Sequence, residues 1–350
     1  MVIEFQPIWF DSMGAKSSCT LVETPDTTVL IDPGCAEMQS SYPLPEEEKF
    51  ALREEAFHQI SKAAKEAEHI VISHYHHDHY LPVPDLYEGK RLWLKDPNCW
   101  INKSQWQRAR EFISMLIKVR PRRNGDKSNP PLYYKEPEGE LEFEDPLKQL
   151  EIAKGKDFGD YQQRREELLE RGRERLDKLE QLWLRGPWIE ERALSGLGIE
   201  FADGRTIEIG ETRIRFTKPF FHGIEYANTG WVIAVVIEHG REKLIYSSDL
   251  EGPTIEDYAE WIIAEQPNYL ILDGPSTYLL GYMLNRTNLN RAIANALKIV
   301  RGCEKLEVML FDHHLLRDKK YRERTAEVWR ESAKVVTAAE LMGREPLLDQ

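Results

Sequence analysis

Residues 73–80 read Ser-His-Tyr-His-His-Asp-His-Tyr, which concentrates four of the chain's ten histidines in one short stretch. The run from His69 to Ile72 just ahead of it is apolar and strand-like. In an extended segment alternate side chains share a face, so His74 and His76 point at the same ion. Asp78 and His79 come where the backbone must turn, and they reach a second ion close by. His77 lies on the opposite face from His76 and reads as a solvent contact or a residue supporting the ligands, rather than a ligand. Imidazole nitrogen combined with carboxylate oxygen suits Zn²⁺ first, with Mn²⁺ or Fe as alternatives. A plain surface cluster of histidines is the competing reading. The spacing HxHxDH directly after an apolar strand favours the metal.

The elements that must position these residues follow from periodicity. The first 35 residues read as strands, ending with Val29-Leu30-Ile31 and the turn Asp32-Pro33-Gly34. Residues 46–68 read as a helix with Phe50, Phe57, Ile60, Ala64 and Ala67 on one face. From about 84 to 200 the texture changes to a largely helical insertion. It holds an amphipathic helix from Asn98 to Val119, a basic loop from Lys118 to Lys127, and a charged helix from Asp160 to Leu184. The tryptophans of this stretch (Trp93, Trp100, Trp106, Trp183, Trp188) read as packing residues. Strand patterns return after residue 200. Ile207 to Phe216 reads as one hairpin and Trp231 to Tyr246 as another around His239-Gly240; Tyr269 to Leu272 and Val308 to Phe311 are apolar strands ending in polar clusters. Helical patterns at 254–264 and 287–301 lie between them. Strands followed by mixed strands and helices in each half imply an α/β (α+β) fold, with two sheets face to face and helices outside. His58 and His239 read as surface residues, and Tyr226 and Asn228 as loop residues near a pocket.

The segment His74-Tyr-His-His-Asp-His79 resembles the HxHxDH signature of the metallo-β-lactamase superfamily. That resemblance implies a four-layer αββα sandwich over residues 1–350, carrying the insertion between His79 and the next ligand. It also implies an upstream Asp turn, matched by Asp32-Pro33-Gly34, whose Asp supports the site rather than ligating. His222 matches the third-His position, Asp249 in Tyr246-Ser-Ser-Asp249 the bridging carboxylate, and Asp312-His313-His314 the last His. The implied set is one metal held by His74, His76 and His222, a second held by Asp78, His79 and the last His, and Asp249 between them. A hydroxide between two divalent ions would be the nucleophile, with Asp249 or Asp78 handling a proton. His313 stands four residues before Arg317, a spacing shared with His-x-x-x-Arg of the family's phosphodiesterases, and is the preferred ligand; His314 is the alternative ligand or a supporting donor. Arg317 is a candidate contact for an anionic substrate, unless Asp318 neutralises it. Many members carry Gly two residues after the signature, where this chain has Leu81 followed by Pro82. Further segments resemble a mainly archaeal subgroup: Phe10-Asp-Ser-Met-Gly-Ala-Lys-Ser-Ser, Ile101-Asn-Lys-Ser-Gln105 and Asp312-His-His-Leu-Leu-Arg-Asp318.

Composition narrows the function classes. The chain has 350 residues, 41% hydrophobic and 31% charged, enough for a large core and rich in charge as hot-adapted proteins often are. A net charge of -13 disfavours a nucleic-acid coat over the whole surface, while a local basic groove such as 118–127 stays open. Cys19, Cys35, Cys99 and Cys303 lie far apart without a CxxC, against a disulfide scaffold or a Cys-rich zinc module. The N-terminal stretch lacks a secretory pattern and no apolar run spans a membrane, so a cytoplasmic protein without membrane partners is expected. The leading reading is a metal-dependent hydrolase acting on an ester, lactone, phosphoester or related bond of a small molecule, with a homo-oligomer allowed. A nuclease or phosphodiesterase acting on RNA or DNA is second. From other classes stand a non-catalytic metal-binding interaction protein and a di-iron oxidoreductase.

Overall fold

The computed structural model describes residues 2–119, 134–137 and 142–350. A first sheet is built in the order β1 (Glu4–Phe10), β2 (Ser18–Glu23), β3 (Thr28–Ile31), β4 (His69–Ile72), β5 (Arg91–Leu94) and β6 (Ile199–Phe201). The first three strands are antiparallel neighbours; β3 to β6 are parallel. A second sheet comprises β7 (Thr206–Ile209), β8 (Thr212–Phe216), β9 (Val235–His239), β10 (Glu242–Tyr246), β11 (Tyr269–Asp273), β12 (Val308–Asp312) and β13 (Val335–Val336), side by side in chain order. It repeats the plan of the first, with antiparallel hairpins from β7 to β10 and parallel pairing from β10 to β13.

The strand sequences explain this arrangement. His69–Ile72 and Tyr269–Asp273 are buried at every position, as parallel strands covered on both faces must be. Thr212–Phe216 alternates buried and more open positions, which fits a hairpin strand with one wetter face. Between the sheets lies an apolar core that includes Val22, Val29, Ile31 and Val71 from one side and Ile214, Val235, Leu244 and Ile271 from the other. Outside the first sheet pack α1 (Glu46–Glu66) and α2 (Lys103–Val119), through Ala56 and Ile60 and through Phe112 and Ile113. α3 (Gln162–Arg185) belongs to the same layer through Leu176 and Trp183. Outside the second sheet pack α4 (Glu256–Glu265) and α5 (Arg286–Gly302), through Ala259, Ile262, Ala296 and Ile299. The fold is therefore the four-layer αββα sandwich. Among the described residues no helix is long and apolar enough to cross a membrane.

Several expectations change in detail. Arg91–Leu94, placed in the insertion by its position, is the core strand β5, because its Leu92 and Leu94 continue the apolar face of β4. The added helices lie between β5 and β6. Phe50 is 53% exposed rather than facing the core. The inward position of that first turn is taken by Lys49, which is fully buried and pairs with Glu46 at 2.6 Å. His239 is buried rather than on the surface, since its Nδ1 lies 2.8 Å from the Thr212 hydroxyl at the hairpin end. The basic stretch 120–127 lies outside the described residues.

The added helices are fastened at two places. Trp100, Phe143, Trp183 and Trp231 interlock with ring centroids 5.1–5.8 Å apart. A buried ion network forms the second: Glu225 takes Arg165 of α3 at 2.9 Å and Arg291 of α5 at 2.8 Å, and Glu256 takes Arg291 at 2.8 Å and Lys156 at 2.7 Å. Burial would raise the Glu256 carboxyl, but hydrogen bonding and charge from Arg291 bring it from 4.5 down to about 2. A carboxyl depressed on folding stabilises the fold above its unfolded value and loses that contribution as pH falls through the folded value. Unfolding free energy is thus expected to drop as pH falls from 4.5 toward 2. Urea titrations across that window should show a shallower slope for Glu256→Gln, and an unchanged slope would count against the network.

Candidate metal centre

The parallel strands run their carboxyl ends to one edge of the sandwich, where an open α/β sheet carries its ligand site. Asp32 follows β3, Ser73 and His74 follow β4, and Asp249 comes three residues after β10. Asp273 closes β11, and Asp312 closes β12 with His313 next. His222 hangs in the loop of a short ribbon, Phe220–Phe221 with Trp231–Val232, and its N–H donates to the Gly230 carbonyl at 3.0 Å. Asp32, Ser248 and His313 have φ of 49°, 54° and 59°. That left-handed conformation is costly for residues with a side chain and gathers at functional sites. Gly34 lies so close to the signature turn that a Cβ would stand 2.2 Å from the Tyr80 nitrogen. Only glycine lets the Asp32 turn press against residues 79–80.

Asp249 is the centre of the cluster. Its Oδ2 lies 3.0 Å from His222 Nε2, 3.2 Å from His74 Nε2 and 3.2 Å from His79 Nε2. Its Oδ1 lies 3.5 Å from His313 Nε2. His76 Nδ1 stands 3.0 Å from His74 Nε2. Asp78 lies 3.9 Å from both His79 Nε2 and His313 Nε2. Among the described residues four overlapping groupings of ligand-type atoms result, and two of them together take in every expected ligand: His74, His76, His222 and Asp249 in one, and Asp78, His79 and His313 in the other. The remaining two are Asp32 with His74 and His79, and Asp249 with His313 and His314.

Every one of these side chains except His76 is buried, and they are held from behind. Asp32 accepts from the Ser73 N–H at 2.7 Å and from Tyr246 OH at 2.8 Å, and lies 2.8 Å from His79 Nδ1. Asp11 lies 2.8 Å from His313 Nδ1 and accepts from Arg317 Nε at 2.6 Å. Such carboxylate–imidazole pairs fix ring orientation and aim the far nitrogen at a metal. Burial pushes the His74 imidazole down to about 4, with the neighbouring His79 adding to it, so its ring is neutral. Burial opposes ionisation of Asp249, yet the imidazoles of His79, His74 and His313 hold it well below the ordinary range.

A divalent cation fits this donor set. His79 Nε2, His222 Nε2, His313 Nε2 and both Asp249 oxygens are buried without a hydrogen bond. Buried polar atoms are ordinarily paired, and five such atoms facing one small space form a donor set suited to divalent cations. His313 turns its Nε2 into that space. His314 turns its Nδ1 away, to Asp273 at 3.0 Å, and lies at the margin near Asp249 and His313.

Arg317 is buried and its guanidinium is spent on two carboxylates, Asp11 and Asp78, the latter at 2.8 Å. The Asp318 pairing raised by the sequence is not formed; Asp318 pairs with Arg324 at 2.7 Å. His77 and His58 are exposed. Tyr226 is buried and donates to Asp145 at 2.7 Å, and with Asn228 it lines a cavity of about 540 Å³ beside α2 and α3. Three buried residues carry roles that the sequence reading did not assign: Asp11 behind His313, Asp273 behind His314, and Gln105 against His76 at 3.2 Å. Asp11 and Gln105 do fall within the segments that resemble the archaeal subgroup.

Known proteins match this picture. Residues 14–90 match the family model described as metallo-beta-lactamase superfamily. The UPF0282 protein of Methanopyrus kandleri is 32% identical, over 98% of this chain and 94% of its own length. This chain belongs to the UPF0282 family of the metallo-β-lactamase superfamily. Another UPF0282 protein, from Korarchaeum cryptofilum, is 32% identical over 97% of this chain and 89% of its own. Among solved structures, the metallo-beta-lactamase fold protein YhfI from Bacillus subtilis is 13% identical with a TM-score of 0.40, covering 96% of this chain and 95% of that one. An isothiocyanate hydrolase from Delia radicum gut bacteria is 11% identical with a TM-score of 0.44, covering 93% and 94%.

The burial of Arg317 has a measurable consequence in this UPF0282 chain. Arg317→Gln takes the guanidinium from two buried carboxylates, Asp11 and Asp78, and breaking a buried ion pair typically costs about 3–5 kcal/mol. A clear fall in Tm is expected for the metal-free protein. A wild-type Tm with only a raised KM would instead mark Arg317 as a substrate contact.

Proposed function

We propose that this protein is a metal-dependent hydrolase with a dinuclear centre, zinc being the favoured metal. One observation carries the reading: the unpaired imidazole nitrogens that converge on the two unpaired oxygens of Asp249. His74, His76 and His222 would hold one ion, Asp78, His79 and His313 the other, with Asp249 between them. Two bound divalent ions would activate water at neutral pH and polarise the bond to be broken.

The chain's own residues supply orientation and proton handling. Asp32 and Asp11 fix the rings of His79 and His313. Asp78 is the most open carboxylate of the cage, its side chain 13% exposed against 1% for Asp249, and Arg317 orients it. It is therefore the group best placed to pass a proton to solvent or leaving group, while Asp249 stays ionised. His314, tied through Nδ1 to Asp273, offers a neutral imidazole at the margin of the cage, since burial and then Arg317 drive its protonation well below the usual range. We assign it to substrate contact.

The substrate reading is a small molecule with an ester, lactone or related bond. The phosphodiesterase alternative loses one support, because Arg317 is committed to Asp11 and Asp78 rather than free for a phosphate. A cytoplasmic setting belongs to the same proposal; all four cysteines are free thiols, as suits a reducing compartment.

The test is turnover of lactone, thioester, bis-(p-nitrophenyl) phosphate and single-stranded RNA panels before and after chelation. Hydrolysis should vanish with the metal and return on defined zinc or manganese add-back. Hydrolysis that persists in fully metal-stripped protein would contradict the proposal, and activity on RNA alone would move it to the nuclease reading.

A further inference from the structure

The segment Ile101-Asn-Lys-Ser-Gln105 opens α2, and the chemistry above leaves it unused. Its side chains reach into the metal centre. Gln105 is fully buried, and its amide orientation is settled by its neighbours. The Tyr75 N–H can only donate, and it donates to Gln105 Oε1 at 3.2 Å. The Thr229 carbonyl can only accept, and it accepts from Gln105 Nε2 at 2.6 Å. The same Nε2 lies 3.2 Å from His76 Nε2. A His76 that faces the cage through Nδ1 carries its ring proton on Nε2, so this approach brings two donors together and is no hydrogen bond. What Gln105 holds is the backbone between His74 and His76, through the Tyr75 N–H.

Asn102 acts on the same loop. Its Nδ2 donates to the carbonyls of Asn228 at 2.9 Å and Thr229 at 3.0 Å. Its Oδ1 accepts from the Gln105 N–H at 2.8 Å, capping α2. The loop so held is the one that sets His222: Gly230 accepts from the His222 N–H, and the Thr229 hydroxyl donates to the His222 carbonyl at 3.1 Å. Gly230 has φ of 96°, and a Cβ there would come within 3.3 Å of the Asn102 nitrogen, so loop and helix start are in close contact.

We propose that Asn102 and Gln105 are positioning residues for one metal site only, that of His74, His76 and His222, so that the inserted helix α2 is part of the metal centre. The inference rests on the metal-centre reading above. Gln105 holds the backbone between His74 and His76 through the Tyr75 N–H, and both residues hold the loop that sets His222. The Asp78, His79 and His313 grouping is braced from elsewhere, by Asp32 and Asp11.

Two variants separate this role from helix stability. Gln105→Leu removes the amide hydrogen bonds to Tyr75 and Thr229 with little change in volume. Asn102→Asp keeps the capping oxygen and removes the two donors that hold residues 228 and 229. The metal-free full chain is titrated with cobalt(II), read by visible absorption and by competition with a chelator. His76→Ala and His313→Ala assign the two binding steps, and thermal melting reports folding. Both variants should weaken the His76 step by roughly ten- to a hundred-fold, the usual effect of losing a group that supports a ligand, and leave the His313 step unchanged. Wild-type affinity at both steps would overturn the inference, as would equal weakening of both. Unfolding of both variants would overturn it too, by making the segment a folding element. A wild-type chain that binds no cobalt fails differently: it removes the metal reading itself, and the inference with it.

Discussion

A carboxylate taken out of water must be neutralised, protonated or paired, and Asp249 meets that demand in an unusual way. It is buried and hydrogen-bonded to nothing, yet four imidazole nitrogens stand within 3.5 Å of its two oxygens. The imidazoles give part of the compensation that a buried negative charge needs; divalent ions held between them and the carboxylate give a great deal more. The rest of the molecule makes sense as the frame that forces these groups together. Two sheets with matching topology bring their parallel strands to one edge, and the residues just past those strands become neighbours despite being more than two hundred positions apart in the chain.

The frame is stiff where the centre needs it. Asp32, Ser248 and His313 sit in left-handed conformations that cost energy, and Gly34 permits a backbone approach that no other residue allows. Behind the cage stands a shell of carboxylates: Asp32, Asp11 and Asp273, each directed at a ring nitrogen of a different histidine. Arg317 links this shell to the cage by pairing with both Asp11 and Asp78. The centre is thus a layered charge array, and its members are not independent.

Much of this was legible from the chain alone. The signature 74–79 is contiguous, so its residue types and spacing speak directly, and the apolar runs before Asp32, His74 and His313 mark strand ends. His222 and Asp249 have weaker local signals and stand out through the family resemblance; the structure brings both to the 74–79 segment. What escaped was long-range. Asp11 meets His313 across 302 positions and Gln105 meets His76 across 29, and no local pattern announces either pairing. The choice between His313 and His314 likewise depends on which ring the turn after β12 aims inward. The true start of the insertion, after β5, is hidden in the sequence because β5 has only four residues, too short for periodicity to separate from its surroundings.

The most direct test of the account is anomalous diffraction, at the absorption edge of the metal it carries, from crystals of the protein as purified. The account predicts two peaks flanking the Asp249 carboxylate, one within about 2.0–2.2 Å of nitrogens of His74, His76 and His222 and one similarly close to His79 and His313. A map without a peak beside Asp249 would contradict it, as would metal bound only at some other surface of the molecule.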